Sequence, residues 1–389
     1  MGKLKVLLFS LVVICMSNIQ IVDAKNHWKH DTKGYYYQYD NGTYAKSKWI
    51  KDNNHWYYIQ SNGYRAVGWL NIHKKWYYFD KNGILQTDKW ISDKYYVNKD
   101  GEYKYKLSNN TIKNYHKKSV YDTEQYLKQL NSNWTSFIVV TDIHGQRNEN
   151  HSQEIVRYLL TNVPNLNCFL LGDFGSDTEF KSYIEPLKNK KNIYATVGNH
   201  DMATDTSVIY NTLLKNKKNL KGSPKKFYYY FDDTDKKLRY LIINTCNSNK
   251  SSNQMDDTEL EWLQKDGLKL PNSKWTVIVL GHHDIDIKAN LPYTNKSAEQ
   301  IAKYISQCNG NVVGYFCGHE HLDNQSLVNK KFYQTIFNSD CLNVNQKWRK
   351  TNTINDQSIT VVSVNTKTGH VVFHRIGTPI KNINTYRYK

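Results

Sequence analysis

Gly198-Asn199-His200-Asp201 follows the apolar run Ile193–Val197, and the rest of the chain is read outward from it. An amide, an imidazole and a carboxylate stand in three consecutive positions behind a glycine. Alone, a turn rich in Gly, Asn and Asp is an ordinary turn. Four other turns repeat the pattern of an apolar run followed by His or Asp. Asp142-Ile143-His144 follows Phe137–Val140, and Gly172-Asp173 follows Phe169–Leu171. Gly281-His282-His283 follows Val277–Leu280, and Gly318-His319-Glu320-His321 follows Val312–Cys317. The carboxyl ends of strands in an α/β sheet face the ligand crevice. Five such ends would gather three carboxylates, an amide and six imidazoles in one place.

Between these runs lie helical segments. Glu154–Leu160 and Thr258–Leu268 carry apolar residues at helical spacing, and Ser297–Cys308 opens with a Ser297-x-x-Gln300 capping box. Phe332–Phe337, Ile359–Val364 and Val371–Phe373 read as late strands. The alternation predicts a layered α/β (α+β) sandwich, with a mixed sheet or two packed sheets, over residues 135–376. Residues 377–389 read as a tail.

The side chains on the five turns suit a transition-metal site. In Asp-x-His and His-x-His of an extended chain, both side chains point to one side and can grip one ion. Imidazole and carboxylate favour Zn, Fe or Mn over Ca. A central carboxylate can bridge two ions about 3.5–4 Å apart, the arrangement that serves displacement at phosphorus. The glycines before the ligands are expected to let the backbone turn sharply and approach a phosphate.

The ordered set D-x-H, G-D, G-N-H-D, G-H-H and G-H-x-H resembles the calcineurin-like metallophosphoesterase superfamily. The resemblance spans about residues 136–375 and implies a sandwich fold with a dinuclear site at one edge. It implies that Asp142, His144 and His321 hold one metal, that Asp173 bridges, and that Asn199, His282 and His319 hold the other. His200 would sit beside the scissile phosphate with Asp201 tuning it, and a metal-bridged hydroxide would attack in line. His283 is left as either a substrate contact or an orienting residue, and Glu320 as pointing away from the ligands. Gly172-Asp173-Phe174-Gly175 lacks the Asp-Arg-Gly of phosphoprotein phosphatases, and Asp142-Ile143-His144 differs from the purple acid phosphatases. Phosphomonoesters and phosphodiesters both remain open as substrates.

Residues 25–105 hold a repeat. Trp49, Trp69 and Trp90 are 20 and 21 residues apart, and Gly42, Gly63, Gly83 and Gly101 keep a similar period. Aromatic runs lie between them: Tyr35-Tyr36-Tyr37, Trp56-Tyr57-Tyr58, Trp76-Tyr77-Tyr78 and Tyr95-Tyr96. Each unit reads as a β-hairpin that buries its aromatic face only by stacking on the next, a small solenoid. The units resemble the choline-binding or cell-wall-binding repeats, most closely from Gly68-Trp69 to Gly83. That resemblance implies aromatic cages for a choline-like ligand or a wall polymer. The aromatics implied are Trp49, Trp56, Trp69, Trp76, Tyr78 and Trp90. Residues 106–134 read as a basic linker, with a short docking helix over Thr123–Leu130.

Lys3 and Lys5, the apolar run Val6–Met16 and Val22-Asp23-Ala24 read as a signal peptide over 1–24. Its removal takes the formal charge from +18 to +17, which favours anionic partners. The expectation is therefore a secreted, wall-associated monomer of a Gram-positive-type bacterium, acting on a phosphate ester and holding no stable nucleic-acid partner. A vestigial surface-binding protein and an extracellular nuclease are the competing readings. Five cysteines remain after cleavage, an odd number with no CxxC, which does not support a disulfide framework.

Overall fold

The computed structural model describes residues 27–91, 95–106, 112–144, 152–203, 205–246, 253–341, 346 and 348–389. The stretch read as a signal peptide lies outside them. The chain divides into two compact units, Met1–Ser108 and Asn109–Lys389.

The N-terminal unit is a row of hairpins. Trp28–Asp31 pairs with Gly34–Tyr37, Lys48–Asp52 with His55–Ile59, and Gly68–Ile72 with Lys75–Phe79. A three-stranded sheet of Lys89–Ile91, Tyr95–Val97 and Tyr103–Lys106 closes the row. Asn53-Asn54 and His73-Lys74 all have positive φ, as the two-residue turns that match strand twist require. Tyr37, Ile59 and Phe79 are each fully buried, although no single hairpin has a second layer to cover them. Cover comes from the neighbour. The amide of Arg65 donates to the Tyr35 carbonyl, and that of Leu85 to the Trp56 carbonyl, each at 2.8 Å.

The second unit is built on two sheets. One has six strands in the order Ile193–Ala195, Asn167–Leu170, Trp134–Val140, Ser358–Asn365, His370–Gly377 and Tyr386–Arg387. The first three run parallel and the rest antiparallel. The other has seven, in the order Lys221–Ser223, Tyr228–Asp233, Leu238–Ile242, Thr276–Leu280, Asn311–Cys317, Phe332–Ile336 and Asn324–Val328. Its middle four are parallel. Of the two arrangements the sequence leaves open, packed sheets are the one found. Aromatic rings fill the space between them: Phe137 lies 5.8 Å from Phe316, Phe169 5.3 Å from Tyr240, and Tyr194 4.3 Å from Phe231.

Helices cover the outer faces. Leu260 and Leu263, with Ala298, Ile301 and Ile305, form one buried cluster with Leu241, Val277 and Val279. The helix Asn114–Gln129 begins nine residues before the predicted span and takes up the end of the stretch read as linker. Ser297 makes no side-chain cap; its Oγ accepts from the Met255 amide instead. The capping box that forms is Ser176 with Glu179. The stretch read as a tail returns to the fold, where Tyr386 is buried and its hydroxyl donates to the Val313 carbonyl. Among the described residues no helix is long and apolar enough to cross a membrane, and all five cysteines there are unpaired.

Candidate metal centre

The five polar turns leave the carboxyl ends of Trp134–Val140, Asn167–Leu170, Ile193–Ala195, Thr276–Leu280 and Asn311–Cys317. Parallel pairing brings those ends to one edge of the sandwich. Asp142, His144, Asp173, His319 and His321 all take positive φ, between 45° and 69°. Left-handed backbone is uncommon for side-chain-bearing residues and collects at functional sites. Here it aims five side chains inward from tight turns.

The carboxylates are fixed from behind. Asp142 is fully buried. Its Oδ2 accepts from the Thr141 hydroxyl at 2.6 Å and from the His319 amide at 2.9 Å. Its Oδ1 faces His321 Nε2 at 3.2 Å. Asp173 Oδ1 accepts from the His200 amide at 2.9 Å, while Oδ2 lies 3.3 Å from His282 Nε2 and 3.7 Å from His144 Nε2. Asp173 therefore stands between the two halves of the predicted set.

The histidines present lone pairs to the same space. His282 Nδ1 lies 2.7 Å from the Leu171 carbonyl, a contact that requires the proton on Nδ1. Nε2 is then left facing Asn199 Oδ1 at 3.2 Å and Asp173 Oδ2 at 3.3 Å. His144 Nε2 and His321 Nε2 face each other at 3.0 Å. Both ring nitrogens of His319 are buried without a partner. Two ring nitrogens as close as those of His144 and His321 need a proton or a cation between them.

The titration behaviour shows the same demand. Burial alone would lower His282, yet the Asp173 carboxylate lifts it to about 9. Burial would raise Asp142, but His321 beside it holds it well below the usual carboxylate range. His319, buried and next to His282, falls to about 4. Without cations only protons can answer this field. The donor set and its orphaned atoms fit two transition-metal ions.

Three features of the turns gain detail that the sequence does not carry. His283 is fully buried, its Nδ1 2.9 Å from the Thr245 hydroxyl and its ring 4.2 Å from that of His319. It packs behind His319, its Nε2 has no hydrogen-bond partner, and one of its ring nitrogens lies within 4.8 Å of ring nitrogens of His282 and His319. Asp201 is also buried, and its carboxylate accepts the amides of Asp173, Phe174 and Gly198 at 2.7–2.8 Å. These bonds clasp the second and third turns together. Burial, then the charge of Asp173, pushes Asp201 up to about 7. Among the glycines, Gly172 makes the sharp turn expected of it, with φ of 94°, and turn-to-turn packing is a further duty. A Cβ on Gly198 would lie 2.1 Å from Asp173 Oδ1, and one on Gly318 would lie 2.0 Å from Thr141 Oγ1 and 2.3 Å from Asp142 Oδ2.

Gly318→Ala should therefore displace Asp142 and destabilise the domain by about 1–3 kcal/mol. A thermal melt together with metal content would show both losses.

Glu320 points out of the centre as expected, its side chain bonded to Asp284 and the Tyr293 backbone. His200 is exposed, its ring 5.0 Å from that of His144. Sequence reasoning missed Cys341, whose sulfur lies within 4.8 Å of a ring nitrogen of His144 and of His321. It is held there by its amide bond to the Asp142 carbonyl. No motif marks it; only its position just past the strand Phe332–Ile336 could have drawn notice.

In the N-terminal unit, Trp49 stands perpendicular to Trp56 at 6.4 Å and 5.2 Å from Tyr77. Trp69 contacts Tyr78, its cross-strand partner, and also Tyr95 and Tyr103. Trp76 is 48% exposed. The Trp90 side chain lies outside the described residues. Tyr77, Tyr95 and Tyr103 join these clusters, and the sequence reading did not single them out.

Residues 135–323 match the calcineurin-like phosphoesterase family. Residues 47–65 and 67–85 match the putative cell wall binding repeat. Choline binding protein F of Streptococcus pneumoniae is 32% identical over 21% of this chain and 26% of its own, with a TM-score of 0.19. This chain thus spans about a quarter of the length of that relative. The choline binding domain of Spr1274 from the same organism is 33% identical over 21% of this chain and 99% of its own, with a TM-score of 0.19. A dimetal phosphatase from Danio rerio is 9% identical over 65% of this chain and 99% of its own, with a TM-score of 0.47. No curated protein sequence matches the chain.

Proposed function

We propose that this chain, whose residues 135–323 form a calcineurin-like phosphoesterase domain behind cell wall binding repeats, is an exported phosphoesterase using two transition-metal ions. The repeats hold it at the cell envelope by binding a choline-like group or wall polymer. The observation that carries the catalytic reading is the convergence of Asp142, Asp173 and His282, all buried, with the unpartnered nitrogens of His319.

Asp142, His144 and His321 would hold one ion and Asn199, His282 and His319 the other, with Asp173 shared. When bound, such a pair supplies Lewis acidity and a water-derived nucleophile at neutral pH. The protein's part is to fix its ligands beforehand. Thr141 and the His319 amide lock one oxygen of Asp142, and the Leu171 carbonyl sets the tautomer of His282. Exposed His200, its ring 5.0 Å from that of His144, would give the departing oxygen its proton. A negatively charged phosphodiester polymer of the wall suits the +18 formal charge of the chain.

The test is hydrolysis by full-length protein, reconstituted with Mn, Fe or Zn, of aryl phosphomonoesters, aryl phosphodiesters and an anionic wall polymer. Turnover of any of them supports the reading, and wall binding without turnover on every metal favours a surface-binding protein. His200→Ala should lose about 10²–10⁴ in kcat on substrates with poor leaving groups and much less on activated aryl esters, with metal content unchanged.

A further inference from the structure

The hairpins repeat one aromatic arrangement three times. Trp28, Trp49 and Trp69 each lead a hairpin, and each meets the central tyrosine of the next one: Tyr57 at 5.0 Å, Tyr77 at 5.2 Å and Tyr95 at 5.5 Å. Strand register gives each site a further wall, since Tyr35, Trp56 and Trp76 hold the same place opposite His30, Lys51 and Asn71. A fourth position lies two residues past the glycine that links the hairpins. It is Arg65 after Gly63, Leu85 after Gly83 and Tyr103 after Gly101. The matching amide bonds of Arg65 and Leu85 to the preceding hairpin confirm that these places are equivalent.

Only the first site receives a charge from this position. The Arg65 guanidinium carbon lies 4.3 Å from the Tyr35 ring centre and 5.8 Å from that of Trp28. Its side chain crosses Gly83, where a Cβ would come within 2.3 Å of Nε. Buried Nε has no hydrogen-bond partner. At the second site Lys51 approaches one ring, Trp56, at 5.6 Å from an exposed strand position.

We infer that Arg65 is a built-in ligand whose guanidinium occupies the first of three equivalent aromatic sites. It stands where a quaternary ammonium would, and leaves the second and third sites for ligands from outside. The inference rests on the proposal that the repeats take such a group. Aromatic faces attract guanidinium and quaternary ammonium alike. A tethered cation acts at an effective concentration in the millimolar range or above, which a weak free ligand does not overcome.

Titration calorimetry of the full-length protein with choline chloride tests it. Arg65→Leu places at the first site the residue the second already has, and should bind one more choline per chain than the wild type. Arg65→Lys should keep the wild-type count. Should Arg65→Leu fail to fold by circular dichroism, Arg65→Gln, which keeps a stem across Gly83, carries the same expectation. An equal, non-zero count in wild type and neutral variant would overturn the role of Arg65 and leave the repeats as choline sites. No binding to either protein would overturn the choline reading of the repeats, and this inference with it.

Discussion

Asp173→Asn is expected to lower turnover at least about a thousandfold and to reduce metal content to one ion per chain or none. Asp173 Oδ2 is the oxygen placed between His282 on one side and His144 on the other. An amide in its place keeps shape but removes the charge that lets one group serve two cations. A metal ion contributes several kcal/mol of transition-state stabilisation, and each 1.36 kcal/mol is a factor of ten, so losing half the pair reaches that size. Elemental analysis and steady-state assay of one preparation read both effects. The substituted group lies in the second unit, so binding by the repeats should be unaltered. Turnover within tenfold of wild type would remove Asp173 from the bridging role.

Asp201→Ala is expected to act on stability. It leaves the buried amides of Asp173, Phe174 and Gly198 without their acceptor. One unmet buried donor costs about 1–3 kcal/mol, so three together reach about 3–6 kcal/mol even with partial relaxation. For a domain of this size that corresponds to a fall in Tm on the order of 10 °C, read by calorimetry. Asp201→Asn, which keeps one acceptor oxygen, should lose less. A tuner of His200 would instead give a stable protein with a displaced pH–rate profile, and that outcome would contradict the clasp.

The difference between those two duties shows where the sequence stops being readable. Asp142, His144, Asp173, His282, His319 and His321 were legible because each follows an apolar strand at a spacing that metal chelation demands. Their convergence follows from parallel pairing, which sets strand ends side by side. Asp201 sits in the same motif, but its partners are backbone amides from another turn, and amides carry no letter code. The packing duty of the glycines was hidden for a related reason. What Gly198 and Gly318 avoid is a side chain from a different strand end. For His283 the sequence leaves substrate contact and orienting role open, and its burial against His319 depends on packing that no motif carries. The choice between one mixed sheet and two was hidden because Trp134–Val140 pairs with Ser358–Asn365 across most of the domain. In the repeats, the 20-residue period disclosed the hairpins. Arg65 stands two residues past Gly63, as Leu85 and Tyr103 do past Gly83 and Gly101, and its approach to the rings of Tyr35 and Trp28 has no signature in the sequence.

The central claim is that the strand-end turns form one centre for two metal ions. Elemental analysis of full-length protein, purified without chelator and then reconstituted with Mn, Fe or Zn, tests it most directly. The expected result is two ions per chain in the wild type, with a marked loss in Asp142→Asn and in His282→Ala. A wild-type protein that is folded and retains no more than a trace of any of these metals would contradict it.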